Sequence, residues 1–364
     1  MKKITIIFLT LLCVEGFSQS APKYSNEFLS IGIGARALGM SNAFVTTAND
    51  VTAGYWNPAG LTQITKDFQV SLMHAEYFAG IAKYDYGGFA ANIDSASAFG
   101  VSIIRFGVDD IPNTTQLIDA DGNVDYDRIS SFSVADYAFI FSYARKAKIP
   151  GLSYGANVKI IYRNVGEFAN AWGFGVDAGT QYDYNTWKFG LMVRDVTSTF
   201  NAWSFSLSQE TIDVFNATGN EIPDNSLELT LPKAILGIGK EVRISNKFNL
   251  LGEIDFDFST DGKRNVLITG DPVSVDPHMG VEVGYNKMIF LRAGVGNFQK
   301  VTDILNNDKI TYQPNFGIGI KFKGIALDYA FSDIGDQSDA LYSNIFSLRF
   351  DINKQNNSGT PSIQ

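Results

Sequence analysis

Three acidic side chains alternate along one short stretch of this sequence, and their spacing is the feature closest to a catalytic arrangement. Glu253, Asp255 and Asp257 lie in KFNLLGEIDFDFS, residues 247–259. Paired carboxylates carry out general acid–base chemistry when their surroundings separate their pKa values. If the stretch is a strand, this alternation places all three side chains on one face. We find no Ser–His or Cys–His set to accompany them, so we expect no enzymatic activity.

Three further features could bind a ligand, and each departs from the pattern that its chemistry requires. The glycine-rich GIGARALG, residues 32–39, is not followed by the Lys-Ser/Thr pair of a phosphate loop. DADGNVDYD, residues 119–127, has its glycine at the fourth position, whereas a calcium-binding EF-hand loop needs it at the sixth. A polar turn is the alternative for this stretch, and binding of a divalent ion by it stays open. His74 and His278 are far apart in the sequence, so we assign no metal site and no cofactor.

The composition suits a chain whose elements each turn one face away from water. Charged residues make up 18% of the 364 positions and aromatic residues 13%, whereas soluble domains carry about 25% charged residues. The net charge of -9 disfavours nucleic acid as a partner, because phosphate contacts need a basic surface. After the N-terminus no apolar stretch reaches the length of about 18 residues that a membrane-spanning helix needs.

Residues 1–18, MKKITIIFLTLLCVEGFS, have the parts of a secretory signal peptide: a basic start, an apolar run and small residues before the cleavage site. We expect cleavage after Ser18. Cys13 is the only cysteine, so the mature chain has neither disulfides nor thiol chemistry. A lipoprotein anchor would need a small residue before Cys13, and Leu12 stands there. The protein is therefore expected to be exported.

From residue 67 onward the sequence alternates between apolar and polar residues. In GLSYGANVKIIYR, residues 151–163, apolar side chains occupy every second position and Ser153, Asn157 and Lys159 stand between them. Strict alternation indicates half-exposed strands, and a tilted strand of about 9–11 residues is long enough to cross a bilayer. We predict fourteen strands, at 67–79, 81–93, 97–108, 134–147, 152–164, 168–184, 187–197, 232–244, 247–259, 277–286, 288–299, 312–322, 324–332 and 341–352.

Loop lengths follow the parity of these strands. Every connection after an even-numbered strand is a tight turn, and all the long connections follow odd-numbered strands. This sorting is typical of an outer-membrane barrel, which has short periplasmic turns and longer outer loops, and closure leaves no unpaired edge in the hydrocarbon. The predicted fold is all-β: a closed antiparallel transmembrane β-barrel of about fourteen strands over residues 67–352. The alternative is a soluble sandwich or propeller, in which the apolar face would form a core.

The inward face of the predicted barrel is rich in glycine, which indicates that another segment packs inside. Glycine within a strand often marks the close approach of a second backbone. The candidate is residues 19–66, a hatch with short helical turns near 35–48 and 50–55; the alternative is a tail that crosses one mouth. We expect Arg36 to pair with a lumen carboxylate such as Asp255. The inward glycines are Gly155, Gly173, Gly175, Gly179, Gly190, Gly237, Gly239, Gly284, Gly294, Gly296, Gly317 and Gly319.

Within this segment, GIGARALGMSNAFVTTANDVTAGYWNPAGL, residues 32–61, resembles the N-terminal signature of the FadL-like outer-membrane proteins and is most similar to the PorV/PorQ family of Bacteroidetes. The matching positions that we expect to shape the hatch are Gly34, Arg36, Gly39, Asp50, Trp56, Asn57, Pro58 and Ala59. The resemblance implies a fourteen-stranded barrel in the Gram-negative outer membrane with an N-terminal hatch. The Asn57-Pro58 turn is expected to be the hinge where the hatch ends and the wall begins.

The resemblance also implies a role in the type IX secretion system. Barrels of this family bind secreted proteins by their C-terminal signal domains and pass them from the translocon to an attachment complex. The working surfaces would be the outer loops 109–133, 198–231 and 260–276. Loop 198–231 holds apolar candidate partner residues, since exposed apolar surface marks interaction sites; the alternative is a lid over the barrel mouth. These residues are Trp203, Phe205, Leu207, Ile212 and Phe215.

The second candidate function is a FadL-like channel for a hydrophobic small molecule such as a fatty acid. Such a channel needs an apolar pocket with a few polar groups that orient the ligand. Outer-membrane lipid surrounds the barrel under either function, and residues 353–364 form a polar disordered tail. The inward apolar residues available for the pocket are Ile104, Phe106, Ile161, Ile235, Leu251 and Phe290.

Overall fold

The computed structural model describes residues 25–118, 123–302, 308–332 and 343–353. The predicted signal peptide, with Cys13, lies outside the described residues. Nearly all of the predicted polar tail and the glycine of DADGNVDYD lie outside them too.

Strands make up most of the regular structure of the described residues. The helices are α1 (Ala35–Leu38), α2 (Ala53–Trp56) and α3 (Gln209–Thr218), with 3-10 turns at Glu27–Leu29, Pro58–Gln63 and Tyr126–Arg128. None of these helices is long and apolar enough to cross a membrane. The strands are β1 Phe68–Tyr77, β2 Ala82–Asn92, β3 Ser97–Asn113, β4 Ser130–Lys146, β5 Leu152–Val165, β6 Ala169–Tyr184, β7 Trp187–Arg194, β8 Thr199–Phe205, β9 Ser226–Thr230, β10 Lys233–Arg243, β11 Phe248–Ser259, β12 Ser274–Tyr285, β13 Ile289–Thr302, β14 Asp308–Phe322, β15 Ile325–Ser332 and β16 Ser343–Ile352.

Fourteen of these strands form a closed antiparallel barrel. Each pairs with its neighbour in the order β1 to β7 and then β10 to β16, and β16 pairs with β1 to close the ring. The two other described strands, β8 and β9, form a hairpin that pairs with the first half of β6. The predicted fold and the fourteen strands of the barrel are therefore confirmed. The prediction of a plain loop over 198–231 is wrong, because this connection contains β8, α3 and β9.

The connections are sorted between the two ends of the barrel as loop parity predicted. At one end the strands join through turns such as 185–186 and 323–324, and we call this the short-turn end. At the other, the long-loop end, β3 runs to Asn113 and β4 begins at Ser130, beyond the predicted limits. Pairing between strands needs only backbone groups. The β3–β4 hairpin can therefore continue beyond the part of the wall where contact with lipid requires apolar and polar side chains to alternate.

Exposure along β5 is inverted relative to a soluble protein. Tyr154 and Val158 are 47% and 41% exposed, whereas Asn157 and Lys159 on the opposite face are 1% and 3% exposed. Apolar surface facing water is unfavourable, and burying polar groups is costly unless they are paired. The pattern therefore fits a wall with a hydrocarbon-facing outer surface and a packed polar lumen, not a soluble sandwich.

Residues 25–67, which we call the inner segment, fill the barrel. Ile33, Phe44 and Leu61 are completely shielded from solvent and belong to one core with wall residues such as Ile104. Burial of each side chain of this size contributes about 1.5–3 kcal/mol. The core of this protein therefore lies between the inner segment and the wall, inside the barrel.

The helical turns of the inner segment are shorter than predicted. Of the helical turns predicted near 35–48, the α-helix covers only Ala35–Leu38, and Ser41 and Asn42 have φ angles of 53° and 66°. A left-handed backbone cannot continue a right-handed helix. The turn predicted near 50–55 is the helix Ala53–Trp56. Most of the inner segment is therefore irregular backbone.

Glycines of the wall face this irregular backbone at close range. A Cβ on Gly155 would lie 2.8 Å from the amide nitrogen of Ala59. A Cβ on Gly280 would lie 2.6 Å from Cβ and 2.7 Å from the carbonyl oxygen of Met40. Real Cβ atoms do not approach other atoms this closely, so these positions need glycine. The prediction that inward glycines mark a second backbone is correct for Gly155, whereas Gly280 was not among the predicted glycines. The prediction is wrong for four glycines whose nearest atoms belong to other strands and not to the inner segment: Gly173, Gly175, Gly284 and Gly319.

Gly280→Ala tests this packing. We expect it to lower the free energy of unfolding by about 1–3 kcal/mol, because the added methyl group overpacks the interior. The matched control is Gly252→Ala on the neighbouring strand β11, where a Cβ meets no atom within 4 Å and stability should hold or rise slightly. Urea unfolding of the protein refolded into lipid vesicles measures both. Equal stability of the two variants would contradict the packing described here.

Candidate functional site

Asn57 of the hatch motif anchors the inner segment to the wall. Its side chain is fully buried, and Nδ2 donates to the carbonyl oxygens of Val45 at 3.1 Å and Thr180 at 3.0 Å. One side chain thereby joins two parts of the inner segment to strand β6. This is a structural role, because its hydrogen-bonding groups are already used within the protein.

The turn after Asn57 is a docked element and not a hinge. Asn57 Oδ1 accepts from the amide of Ala59 at 3.3 Å, and Pro58 starts the 3-10 turn that packs on β4, β5 and β6. Gly155 lies directly beneath this turn. The chain enters the wall only at Phe68. The predicted hinge at Asn57-Pro58 is therefore wrong: the turn is buried and held on both sides.

Three other residues of the hatch motif also serve the packing of the inner segment. Trp56 Nε1 donates to the carbonyl oxygen of Ile33 at 2.9 Å. Gly34 has a φ of 82°, which favours glycine. Gly39 would place a Cβ 3.0 Å from Cα of Gly317, so two glycines allow the helix end to touch β14. None of these contacts leaves a group aimed at a ligand.

Arg36 pairs with a lumen carboxylate, but Asp255 as its partner is wrong. Its Nε lies 3.0 Å and its Nη2 3.1 Å from the carboxylate oxygens of Glu282, and Nη1 donates to Asn49 at 2.9 Å. Glu282 also accepts from Arg292 Nε at 2.6 Å. Alternation identifies which carboxylates face inward but not their height in the barrel, and several inward acids compete for one arginine.

The acidic triplet on β11 holds the inner segment. Asp255 accepts from the amides of Phe44 at 2.8 Å and Val45 at 2.9 Å. Glu253 accepts from the amide of Thr46 at 2.6 Å and from the hydroxyl of Thr47. The third member, Asp257, forms an ion pair with Lys233. The three carboxylates share one face, as alternation predicted, and two of them bind backbone.

The two histidines lie in different environments. His74 is on the outer face of β1 with its Nδ1 2.7 Å from Asp85. His278 is inside, where its Nδ1 lies 3.0 Å from the carbonyl oxygen of Ser41. Among the described residues, no group of three or more His, Cys, Asp or Glu side chains could hold a metal ion.

Asp50 is a charged anchor between the inner segment and the last strand. It forms an ion pair with Arg349 on β16 and accepts from the amide of Thr52 at 2.9 Å. Burial alone would raise the pKa of Asp50, but the guanidinium groups of Arg349 and Arg36 outweigh burial and hold this pKa below its usual value. Asp50 therefore stays ionised at neutral pH and stabilises the docked segment.

An apolar pocket of about 790 Å³ lies at the long-loop end of the barrel. Four of the five candidate partner residues line it: Trp203, Phe205, Leu207 and Phe215. Ile212 is the exception, since its neighbour Thr211 lines the pocket instead. Four apolar side chains of this connection thus help to build a concave site.

Helix α3 holds Phe215 over this pocket, and its ends are encoded locally. Ser208 Oγ accepts from the amide of Thr211 at 3.2 Å as an N-cap, and Gly219, with a φ of 71°, ends the helix. A serine before the helix and a glycine after it are standard boundary signals. These two residues are the signal from which the helix could have been predicted.

The rest of the pocket comes from strand ends that sequence reasoning missed. Pro112, Phe132, Val165, Phe168 and Leu227 contribute from β3, β4, β5, the β5–β6 turn and β9. These five residues lie on hairpin ends where apolar and polar residues no longer alternate. The alternating pattern therefore does not indicate that they share a site. Only the folded arrangement brings these five side chains together.

The predicted inward apolar set does not form one ligand pocket. Ile104 and Ile161 are buried in the core around the inner segment, and Phe106 packs against this core. Ile235 packs with Val45 and Met192. Leu251 and Phe290 line a cavity of about 440 Å³ at the short-turn end, among charged residues such as Arg36. A pocket built from these six residues is therefore wrong, because the inner segment occupies the space between them.

One polar network closes the deep side of the apolar pocket. Glu228 on β9 lines the pocket, and its Oε2 accepts from Trp203 Nε1 at 3.0 Å, Arg163 Nη1 at 3.2 Å and Asn201 Nδ2 at 3.3 Å. Asn201 also donates to Asn26 of the inner segment at 3.0 Å. The pocket thus ends on a fixed carboxylate, beyond which the inner segment begins.

A second, polar cavity of about 420 Å³ lies between the inner segment and the long-loop end. Its lining includes Asn42, Asp257, Arg264 and His278. The cavity at the short-turn end touches other residues of the inner segment, among them Arg36, Thr47 and Asn49.

Asp50→Asn tests the charged anchor. The folded-state pKa of Asp50 is lowered, so its stabilisation is complete above the ordinary aspartate pKa of about 3.9 and is lost as the pH falls through the lowered value. We expect the free energy of unfolding of the variant to be about 1.5–3 kcal/mol lower than that of the parent at neutral pH. Below about pH 4 this difference should shrink. Asp213→Asn, at an exposed position of α3, is the control. Urea unfolding measures both variants. If the stability difference between the parent and Asp50→Asn stayed the same from neutral pH to below about pH 4, Asp50 would not be a charged anchor.

No protein-family model matches this sequence, and no curated protein matches it. Solved structures do match along most of the chain. The CymD monoaromatic hydrocarbon channel aligns with 13% identity and a TM-score of 0.54, covering 89% of this chain and 98% of that one. The Pseudomonas putida toluene transporter TodX aligns with 13% identity and a TM-score of 0.53, covering 89% of this chain and 99% of that one.

A FadL homologue from Pseudomonas aeruginosa is similar in the same way, with 13% identity, a TM-score of 0.51, and coverage of 87% of this chain and 98% of that one. At identities this low, the similarity shows a shared fold and does not show a shared ligand. The chain has the fold of FadL-like outer-membrane barrels: fourteen antiparallel strands closed into a ring.

Proposed function

We propose that this protein is an outer-membrane channel that takes up a hydrophobic small molecule, and that the apolar pocket at the long-loop end is where the molecule first binds. The observation that carries the proposal is the concentration of Trp203, Phe205, Leu207 and Phe215 around one concave site. Ligand sites are typically concave and apolar with a few placed polar groups. In this proposal the barrel spans the outer membrane, and the protein has no catalytic role.

The structural neighbours support this function over secretion. Two of them are described as a monoaromatic hydrocarbon channel and a toluene transporter. Their likeness is one of fold, so the argument for this chain depends on its own pocket. The aromatic rings of Trp203 and Phe205 stack with centroids 6.2 Å apart, which gives the pocket a flat apolar wall suited to a ring or an alkyl chain.

A role in type IX secretion stays a prediction that depends on the hatch motif. The described contacts of that motif, such as those of Asn57 and Trp56, are internal. The pocket accounts for four of the five candidate partner residues of the connection 198–231 without a protein partner. Deletion of the gene followed by surface proteomics tests this role: an unchanged set of secreted and surface-attached proteins would exclude it.

Phe215→Asp tests uptake through the pocket. A charge among apolar side chains is strongly unfavourable for a hydrophobic ligand, so we expect uptake of radiolabelled toluene to fall by about tenfold, equivalent to about 1.4 kcal/mol. The assay uses Gram-negative cells that express the protein and lack their own hydrophobic channels. The matched control is Asn216→Asp, which adds the same charge at the next, exposed position of α3.

The control separates a pocket effect from a general effect of charge on the loops. Asn216→Asp should leave uptake unchanged, at equal amounts of folded protein in the outer membrane. Equal uptake by the parent and both variants would reject the pocket as the binding site. Cells without the protein define the background, and uptake no higher than this background by the parent would reject the channel function itself.

A further inference from the structure

The apolar pocket has a charged end of one sign. Among the described residues that line it, Glu228 is the only charged side chain. Its carboxylate is mostly buried, with 15% of the side chain exposed. A ligand that enters the pocket therefore meets apolar walls and a single anionic group at depth. The sign of that group limits the chemistry of the ligand.

The nearest cation cannot neutralise an incoming anion, because it is already shared by two carboxylates. Arg163 binds Asp136 through Nε at 2.8 Å and Nη2 at 3.2 Å, and it binds Glu228 through Nη1 at 3.2 Å. One guanidinium thus faces two carboxylates, which leaves the cluster with an excess of negative charge. Asp136 accepts from two nitrogens of the Arg163 guanidinium. These two nitrogens are therefore not available for bidentate binding of a carboxylate ligand.

The geometry of the wall fixes this cluster in place. Arg163, Ala171 and Trp203 lie side by side on β5, β6 and β8. Because Ala171 between them is small, the guanidinium of Arg163 lies 5.0 Å from the centre of the Trp203 ring. Stacking on Trp203 and three hydrogen bonds to Asp136 and Glu228 fix the orientation of the Arg163 side chain. Rotation of this side chain toward a ligand would leave Asp136 and Glu228 without their cation.

From these contacts we propose that the pocket selects uncharged hydrophobic molecules, such as alcohols and hydrocarbons, and rejects carboxylates such as fatty-acid anions. This inference rests on the proposed uptake function and names its ligand class. A carboxylate at the deep end would meet Glu228 at short range in a site of low polarity, where like charges repel strongly. A hydroxyl group can instead donate a hydrogen bond to the Glu228 carboxylate.

Binding of dodecan-1-ol and of dodecanoate at neutral pH tests the selection, since the two probes share one alkyl chain. Calorimetric titration of the full chain in lipid nanodiscs should give tighter binding of the alcohol by about tenfold or more. Glu228→Gln should reduce this preference, because the amide keeps the shape and an acceptor but loses the charge. Glu210→Gln, an exposed position at the start of α3, should retain the preference of the parent.

A second variant keeps the test independent of the network. Ser226→Lys adds a cation at an exposed position of the pocket lining and is expected to increase dodecanoate affinity while dodecan-1-ol binding holds. If the parent binds both probes equally, or if neither variant changes the preference, charge selection is wrong while the pocket stands. If the parent binds neither probe, the proposed function fails. Heat-modifiable migration on gels confirms that each variant is folded.

Discussion

The structure depends on giving hydrogen-bond partners to a buried backbone that is mostly irregular and has only short helical turns. A buried N–H group without an acceptor costs about 1–3 kcal/mol, and helices or strands normally supply that acceptor. In the inner segment, wall side chains do so: Asp255 accepts from the amide of Val45, and Glu253 from that of Thr46. Gln181 donates in turn to the carbonyl oxygen of Val45. Polar side chains of the lumen thus supply the hydrogen-bond partners that the irregular inner segment does not find within itself.

This constraint explains where a ligand site can exist. Along much of the barrel, glycines such as Gly155 and polar side chains such as Asp255 bring the wall against the inner segment. The inner segment does not reach the ends of β3 to β6, where the hairpins extend further. There the connection with α3 folds inward and Phe215 and Trp203 enclose the remaining volume. The apolar pocket therefore lies beyond the part of the barrel that the inner segment fills.

The sequence predicted the wall well, because lipid outside and packing inside impose alternation on every strand that crosses the belt. The inward glycines predicted an inner chain because a close backbone leaves no room for a Cβ, as at Gly155. The partner of Arg36 and the members of the pocket were not predictable in this way. Glu282 and Asp255 are equally inward in an alternating pattern, and Phe132 and Leu227 meet only because hairpins far apart in sequence end at the same height. Three-dimensional register decides such contacts.

The network at Glu228 has a consequence for how this barrel can diversify. Arg163 and Asp136 stand on the wall strands β5 and β4, whereas Glu228 stands on β9 of the hairpin, which its bond to Arg163 ties to the barrel. The groups that set the shape of the pocket, such as Phe215, stand on a surface helix. Under the proposed uptake function, substitutions in the helix can therefore change the size of the compound that binds at little structural cost. Replacement of Glu228 would instead remove a bond that ties β9 to β5, so this network should vary less among related barrels than the pocket-facing side chains of the helix.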